Sequence, residues 1–150
     1  MCGSTYRRHI RQRLLMTRLE PALAWSPNGQ TLAFIGAHLG AQQVYLRDLA
    51  SGEAKPLDGT QGAQVFAYSP DGEWIAFWTG SELRKVRVSG GPSARICAAI
   101  QVTGLTWGST RLVFTTRYQM LEVSPDGGTP RALTASGKRL NRRRPGSQTI

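Results

Sequence analysis

The stretch Ala24-Trp25-Ser26-Pro27-Asn28-Gly29, followed by Leu32-Ala33-Phe34, decides how this chain is interpreted. Two further copies follow it: Ala67-Tyr68-Ser69-Pro70-Asp71-Gly72 with Ile75-Ala76-Phe77, and the degenerate Thr106-Trp107-Gly108-Ser109 with Leu112-Val113-Phe114. In the first two copies, proline presets φ at the first central position of a turn, and glycine accepts the left-handed backbone that follows. Each copy therefore predicts a β-hairpin, and self-similarity at this spacing indicates a repeat architecture.

Further segments extend each hairpin to four short strands. The expected strands are Ala22–Ser26, Leu32–Gly36, Gln43–Leu49 and Ala54–Leu57; Val65–Ser69, Trp74–Thr79, Leu83–Val88 and Ala94–Cys97; and Thr103–Trp107, Leu112–Thr116, Gln119–Val123 and Arg131–Thr134. The second strands of the first two repeats are apolar on both faces, as expected for sheets packed between two neighbours. Units of four short strands joined by turn residues are typical of propeller blades. The predicted fold is all-β, with three four-stranded antiparallel blades of an incomplete, open β-propeller.

The repeats place a blade region between two tails. The predicted divisions are a basic N-terminal tail at 1–20, blades at about 21–60, 61–101 and 102–134, and a basic C-terminal tail at 135–150.

The net charge of +10 belongs to the ends of the chain. Residues 1–20 hold five arginines and one glutamate, and residues 138–150 hold five basic residues and no acid. Residues 21–137 hold nine basic and eight acidic residues, so the folded part lacks the basic face that a nucleic-acid-binding fold presents. Solvated tails are favoured over tails that bind nucleic acid or anionic lipid through phosphate contacts.

The repeat motifs resemble a known family. Trp25-Ser26-Pro27-Asn28-Gly29-x-x-Leu32-Ala33-Phe34 and its second copy are similar to the TolB-like, WD-repeat-like propeller repeat. Leu83-Arg84-Lys85-Val86-x-Val88-Ser89-Gly90-Gly91-Pro92, followed by Gly104-x-Thr106-Trp107-Gly108, resembles the sensor propellers fused C-terminally to bacterial membrane serine/threonine kinases. The resemblance covers roughly residues 21–134. It implies a bacterial interaction or sensor domain and a periplasmic or extracytoplasmic location for a full-length parent.

The blade count departs from that family, whose propellers close with six or more blades. A closed propeller needs at least about four blades, and this sequence supplies three. Two explanations stay open: the chain is a fragment of a longer gene, which the unmatched basic ends favour, or a second copy covers its open ends. Within a single copy, blades one and three are each expected to leave an apolar face uncovered, so the isolated chain is predicted to self-associate or to be marginally stable.

The sequence lacks the motifs of common catalytic and phosphate-binding sites. His-Arg-Asp and Asp-Phe-Gly of kinases, a phosphate-cradling Gly-rich loop and the Gly-x-Ser-x-Gly elbow of hydrolases do not occur in it. His9 and His38 have no clustered partners, and His38 is interpreted as a solvated residue of a loop at Gly36–Gly40. No catalytic, cofactor-binding or metal-binding residue is therefore predicted, and no apolar run in the sequence is long enough to be a membrane span or a signal peptide.

Structural roles are favoured for the remaining chemically distinctive residues. The tryptophans are expected to fill the space between blades; they are Trp25, Trp74, Trp78 and Trp107. Three aspartates are expected to form turns, namely Asp48, Asp71 and Asp126, and three basic residues to lie on an exposed outer face, namely Arg84, Lys85 and Arg87. We expect Cys97 to pack as a buried hydrophobe and Cys2 to lie in a tail.

The function predicted from these observations is a non-enzymatic protein-interaction or ligand-sensing module, from a larger bacterial signalling protein such as a kinase. The alternative is the propeller part of a prolyl-oligopeptidase-like hydrolase whose catalytic domain is absent. No cofactor is expected, and the protein or small-ligand partner is not named by any motif. Binding residues of propellers tend to lie in loops, which here are near 36–42, 58–63, 79–82 and 98–103.

Overall fold

The computed structural model describes residues 23–133, which form twelve strands in three sheets. The first sheet, blade 1, contains β1 (Leu23–Trp25), β2 (Thr31–His38), β3 (Ala41–Asp48) and β4 (Ala54–Pro56). Blade 2 contains β5 (Val65–Tyr68), β6 (Trp74–Trp78), β7 (Glu82–Arg87) and β8 (Ala94–Ala98). Blade 3 contains β9 (Val102–Trp107), β10 (Leu112–Thr116), β11 (Met120–Val123) and β12 (Arg131–Ala132).

Every sheet is an antiparallel meander in which the strands follow their order in the sequence. The prediction of three four-stranded antiparallel blades in an unclosed arrangement is confirmed. The expected loop at Gly36–Gly40 is wrong, because β2 continues to His38 and the hairpin consists of Leu39 and Gly40 alone. His38 is the exposed last residue of β2. The longer strand is possible because Gly36 has no side chain, and a Cβ there would lie 2.9 Å from the Tyr45 ring.

The first hairpin of blades 1 and 2 is stabilised by hydrogen bonds from its own turn residues. In blade 2 the Ser69 hydroxyl accepts a hydrogen bond from the backbone N–H of Trp74 at 2.9 Å and donates one to the Asp71 carboxylate. Ser26 makes the same two bonds in blade 1, to the backbone N–H of Thr31 and to Asn28. These bonds explain why Ser-Pro-Asp/Asn-Gly specifies this turn.

Two apolar clusters join the blades in series. Between blades 1 and 2, the side chains of Ala33, Ile35 and Val44 pack with those of Phe66, Ile75, Phe77 and Val86. Between blades 2 and 3, the side chains of Ala76, Trp78, Leu83 and Cys97 pack with those of Val102, Leu112, Phe114 and Val123. The core of the molecule therefore lies between sheets, as the two-sided apolar strands predict.

The tails predicted at 1–20 and 135–150, together with Cys2 and His9, lie outside the described residues. No helix within residues 23–133 is long and apolar enough to cross a membrane.

Candidate functional site

The meander places all connections at two ends of the blades. One end, here called the linker end, carries the β2–β3, β6–β7 and β10–β11 hairpins and the two segments that link consecutive blades, residues 57–64 and 99–101. The predicted binding loops near 36–42, 58–63, 79–82 and 98–103 all lie at this end, although parts of them are strand. The Ser-Pro-Asp/Asn-Gly turns lie at the opposite end.

The linker between blades 2 and 3 is attached to the hairpin of blade 2. The indole N–H of Trp78 donates a hydrogen bond to the backbone carbonyl of Ala99 at 2.8 Å, and both residues are buried. The backbone N–H of Ala99 donates to the carbonyl of Ser81 at 3.0 Å. Ala99 is thus fixed on both of its backbone polar groups, and the residues that follow it have a defined position.

A cleft of about 360 Å³ lies at the linker end between blades 2 and 3. It is lined by the linker and by the β10–β11 hairpin of blade 3: Ala98, Ala99, Ile100, Gln101, Phe114, Thr116, Tyr118, Gln119 and Leu121. Ile100 and Tyr118 are exposed by 72% and 77%, respectively, which is unusual for large apolar and aromatic side chains. They provide an apolar surface that a ligand could cover.

The polar groups of the cleft are neutral. They are the side chains of Gln101, Thr116, Gln119 and Tyr118, which can donate and accept hydrogen bonds. The Thr116 hydroxyl accepts hydrogen bonds from the backbone N–H groups of Tyr118 and Gln119, both at 3.3 Å, and so holds the hairpin in place. Apolar walls with a few placed polar groups are the usual composition of a ligand site, and the volume falls within the range of such sites.

The backbone of Gln101 is strained at this position. Its φ of 54° lies in the left-handed region, which only a few per cent of residues other than glycine adopt. Such strain concentrates at binding sites, where it fixes a side chain in a required direction. Leu39, in the β2–β3 hairpin of blade 1, is the other non-glycine residue among those described with positive φ, and it is 93% exposed. Gln101 and Leu39, the two residues with this backbone conformation, both lie at the linker end.

One wall of the cleft, the linker, was predicted from the sequence, and the other wall, the β10–β11 hairpin, was not. The predicted loop near 98–103 contributes four of the lining residues, at positions 98–101, whereas the loops near 36–42, 58–63 and 79–82 contribute none. The β10–β11 hairpin is not among the binding loops predicted from the sequence. Its signal was available, because Tyr118 is an aromatic residue at a hairpin tip, where turn chemistry calls for Gly, Asn or Asp.

The four tryptophans do not share one role. Trp78 is buried between blades 2 and 3, and Trp107 is half-buried against the same cluster, as expected. Trp74 is half-buried under the Lys85 ammonium and the Arg87 guanidinium, 5.0 and 4.5 Å from its ring centroid. For Trp25 the expectation is wrong: it is 60% exposed because no blade among the described residues covers its side of blade 1.

The expected exposed basic face of β7 holds for Arg87 but is wrong for Arg84 and Lys85, which are half-buried. Neighbouring residues of a strand point to opposite faces, and each basic side chain has its own partner. Arg84 donates to Glu82 and to the Ser93 hydroxyl, at 2.5 and 3.0 Å, and Lys85 donates to Asp126 of blade 3 at 3.2 Å. The hydrogen bond from Arg84, followed by that from Arg95, lowers the pKa of Glu82.

All three aspartates lie at turns as predicted, and two of them accept hydrogen bonds from their own turn. Asp48 accepts hydrogen bonds from the backbone N–H groups of Ser51 and Ala50, which lower its pKa. Asp71 accepts from the Ser69 hydroxyl and the Glu73 N–H, with the same effect on its pKa. Asp126 lies in the turn that the Gly127 N–H closes by donating to the Ser124 carbonyl, but its carboxylate makes the ion pair with Lys85.

Cys97 and Tyr68 are two further titratable residues whose reactive atoms are buried. Cys97 is 4% exposed, so its predicted role as a buried hydrophobe is confirmed, and burial raises the pKa of its thiol. Burial raises the pKa of Tyr68 to about 12, and its buried hydroxyl has no hydrogen-bond partner among residues 23–133. Within the same residues, no group of three or more His, Cys, Asp or Glu side chains could hold a metal ion.

Comparison with solved structures identifies the architecture. TolB from Acinetobacter baumannii superimposes with a TM-score of 0.64 at 21% identity, over 77% of this chain and 32% of that one. A TolB-like protein from Agrobacterium tumefaciens gives 0.63 at 25% identity, over 79% of this chain and 51% of that one. Residues 23–133 are a partial β-propeller. The β-propeller domain of the Trilobed protease from Pyrococcus furiosus also shares the fold of this partial propeller, with a TM-score of 0.57 at 14% identity.

Sequence relatives match smaller parts. Over 53 residues the partial propeller is 47% identical to the uncharacterized peptidase YuxL of Bacillus subtilis, covering 34% of this chain and 8% of the relative. Over 89 residues it is 35% identical to an uncharacterized protein of Agrobacterium fabrum, covering 55% of this chain and 30% of the relative. No protein-family model matches the sequence. The chain therefore spans less than a third of the length of either relative.

Proposed function

We propose that the partial propeller is a non-enzymatic binding module whose ligand site is the cleft between blades 2 and 3. The observation that carries this proposal is the exposure of Ile100 and Tyr118 on the two walls of a cleft of about 360 Å³. The polar groups of the cleft are neutral hydroxyls and amides, which suit recognition by hydrogen bonding better than proton transfer. The ligand class that fits is a small uncharged group with one apolar side, such as an apolar amino-acid side chain with its flanking peptide groups.

Within a larger protein, this site would act as a sensor. A full-length parent of the kinase type suggested by residues 83–108 would carry the propeller outside the cytoplasm, where a bound peptide or small ligand alters its signalling. The supporting observations are the sequence resemblance and the TolB-like fold of the blades.

A second candidate function is the propeller part of a peptidase. The 47% identity with a stretch of the uncharacterized peptidase YuxL favours it, and peptide binding at the linker end would then deliver substrate to a catalytic domain elsewhere in the parent. The two candidates share a peptide-binding site and differ in the domain beside it. The flanking coding sequence distinguishes them, because a kinase domain with a membrane span supports the first and a Gly-x-Ser-x-Gly domain supports the second.

The cleft is tested with N-acetyl-leucinamide and N-acetyl-phenylalaninamide as probes, added to the isotope-labelled chain and followed by NMR. We expect saturable shifts of the amide signals of Ile100, Gln101 and Gln119. Tyr118→Ala removes one apolar wall and is expected to weaken binding by roughly tenfold, the effect of about 1.4 kcal/mol of lost burial.

Leu39→Ala is the matched control, since Leu39 is also largely exposed, lies on the corresponding hairpin of blade 1 and is outside the cleft. Shifts that spread over all exposed apolar residues, or that respond alike to the two substitutions, would contradict the proposed site.

A further inference from the structure

The register of the strands assigns equivalent positions to the three blades. Phe34, Phe77 and Phe114 each lie on the second strand of their blade, between partners on the first and third strands. We call the side of each sheet that carries this phenylalanine its front face, and the other side its back face. In both apolar clusters the front face of one blade packs on the back face of the blade before it.

This serial packing leaves two faces uncovered by the described residues. One is the front face of blade 1, where Leu23 is 48% and Trp25 is 60% exposed beside the half-buried Leu32 and Phe34. The other is the back face of blade 3, where Thr106 and Met120 are exposed, Val113 and Thr115 are half-buried, and Glu122 is covered by its own partner Arg131. The expectation of two apolar open faces thus holds for blade 1 only, because the back face of blade 3 is mixed and contains a carboxylate.

The charges on the two open faces lie at complementary positions. Leu32 and Ile75 occupy the same place in the motif, so the residues opposite them, Arg47 and Val86, are equivalent. Val86 belongs to the apolar cluster between blades 1 and 2. Glu122, opposite Val113, is equivalent to Leu46, which is opposite Ala33 and packs against the same cluster. An apolar pair of positions in a blade interface is therefore replaced by a cation on one open face and an anion on the other.

The interface between blades 2 and 3 shows that the position of Glu122 can hold a charge that pairs across an interface, although the blade 3 equivalent of Arg47 is the apolar Val123. Lys85, opposite Ala76, is the blade 2 equivalent of Glu122, and it pairs with Asp126 of the next blade at 3.2 Å. Among residues 23–133, Glu122 pairs with Arg131, and no acidic group lies within ion-pair distance of Arg47.

We propose that two copies of this chain close into one six-bladed ring, with the front face of blade 1 of each copy packed on the back face of blade 3 of the other. Each contact repeats the front-to-back geometry already present twice within the chain and adds an Arg47–Glu122 pair. Head-to-tail contacts of this kind form a ring when the rotation closes, and six blades lie within the usual range of four to eight.

The mass of the full 150-residue chain in solution tests the proposal by sedimentation velocity and light scattering. We expect twice 16.4 kDa. A monomer would overturn it and indicate that further blades of a longer protein cover these faces; an open-ended polymer would overturn the closed ring.

Two charge reversals test the pairing. Arg47→Glu and Glu122→Lys each place like charges together at both contacts of the homodimer, which should weaken association by roughly tenfold or more. An equimolar mixture of the two variants pairs opposite charges at both contacts and should recover the dimer. Arg117→Glu, an exposed hairpin change away from both open faces, should leave the dimer intact.

Glu122 is 9% exposed and bound to Arg131, so Glu122→Lys could disturb folding. Trp25→Lys avoids this difficulty because the side chain is exposed in a single copy, and it should give a folded monomer by circular dichroism. A dimer that persists in Trp25→Lys, or one that Arg47→Glu leaves unchanged, would overturn the assigned faces.

Discussion

Trp78→Phe tests the buried hydrogen bond that Trp78 makes between blades 2 and 3. The indole N–H of Trp78 is 2.8 Å from the Ala99 carbonyl oxygen, and the two residues are 9% and 7% exposed. Phenylalanine keeps an aromatic ring in the cluster but leaves that carbonyl without its partner. A buried polar group that loses its partner costs about 1–3 kcal/mol. For a domain of this size, that loss lowers the melting temperature by roughly 4–20 °C.

The assay is thermal unfolding followed by circular dichroism, with amide hydrogen exchange at Ala99 as a local measurement. The backbone N–H of Ala99 donates to Ser81, so loosening of the linker should speed its exchange. Trp107→Phe is the matched control, because the Trp107 indole is half-buried and no hydrogen bond to it is found among residues 23–133. If the two variants melt at the same temperature and Ala99 exchanges as before, the argument from the buried carbonyl is refuted.

The remaining predictions concern the Ser-Pro-Asp/Asn-Gly turns. Gly72→Ala and Gly29→Ala each place a side chain at positive φ, which costs about 1–2 kcal/mol of folding stability. Gly72→Ala should cost more, because the new Cβ at position 72 would lie 3.2 Å from the Pro27 ring, whereas a Cβ at position 29 meets no neighbour. Equal urea unfolding midpoints for the two variants would contradict this reasoning. The pKa of Asp71 is lowered in the folded protein, chiefly by the hydrogen bond from the Ser69 hydroxyl. The ionised carboxylate therefore stabilises the fold at pH values above the pKa that Asp71 has in the unfolded chain. This stabilisation is lost as the pH falls through the lower pKa of the folded state. In the Asp71→Asn variant, the urea unfolding midpoint should fall less steeply than in the original protein as the pH is lowered. If the midpoint falls equally steeply in both proteins, carboxylates other than Asp71 cause the loss of stability.

The strands and turns followed from the sequence because they depend on contacts between residues close in the chain. The hydrogen bonds of Ser69 and Asp71 lie within one turn, and alternating apolar residues set which side of each strand is buried. The linker wall of the cleft was predictable in the same way, as a loop between blades. The hairpin wall was only partly predictable, because an aromatic residue at a hairpin tip marks Tyr118 in the sequence, whereas its place beside Ile100 follows from the fold alone.

Residues with the same place in the repeat acquired different roles from their neighbours. Trp25, Tyr68 and Trp107 occupy equivalent positions, yet the first is exposed and the other two are half-buried. The local sequence is similar in all three cases. What differs is whether another blade lies against that face.

The sequence by itself determined that this protein is built of four-stranded β blades, because turn chemistry and strand periodicity are local properties that every copy of the motif repeats. Only the tertiary structure decided which faces stay open, that Arg47 and Glu122 lie at complementary positions on them, and where the cleft forms. These features arise from contacts between blades. Because such contacts depend on residues far apart in the chain, no single copy of the repeat contains them.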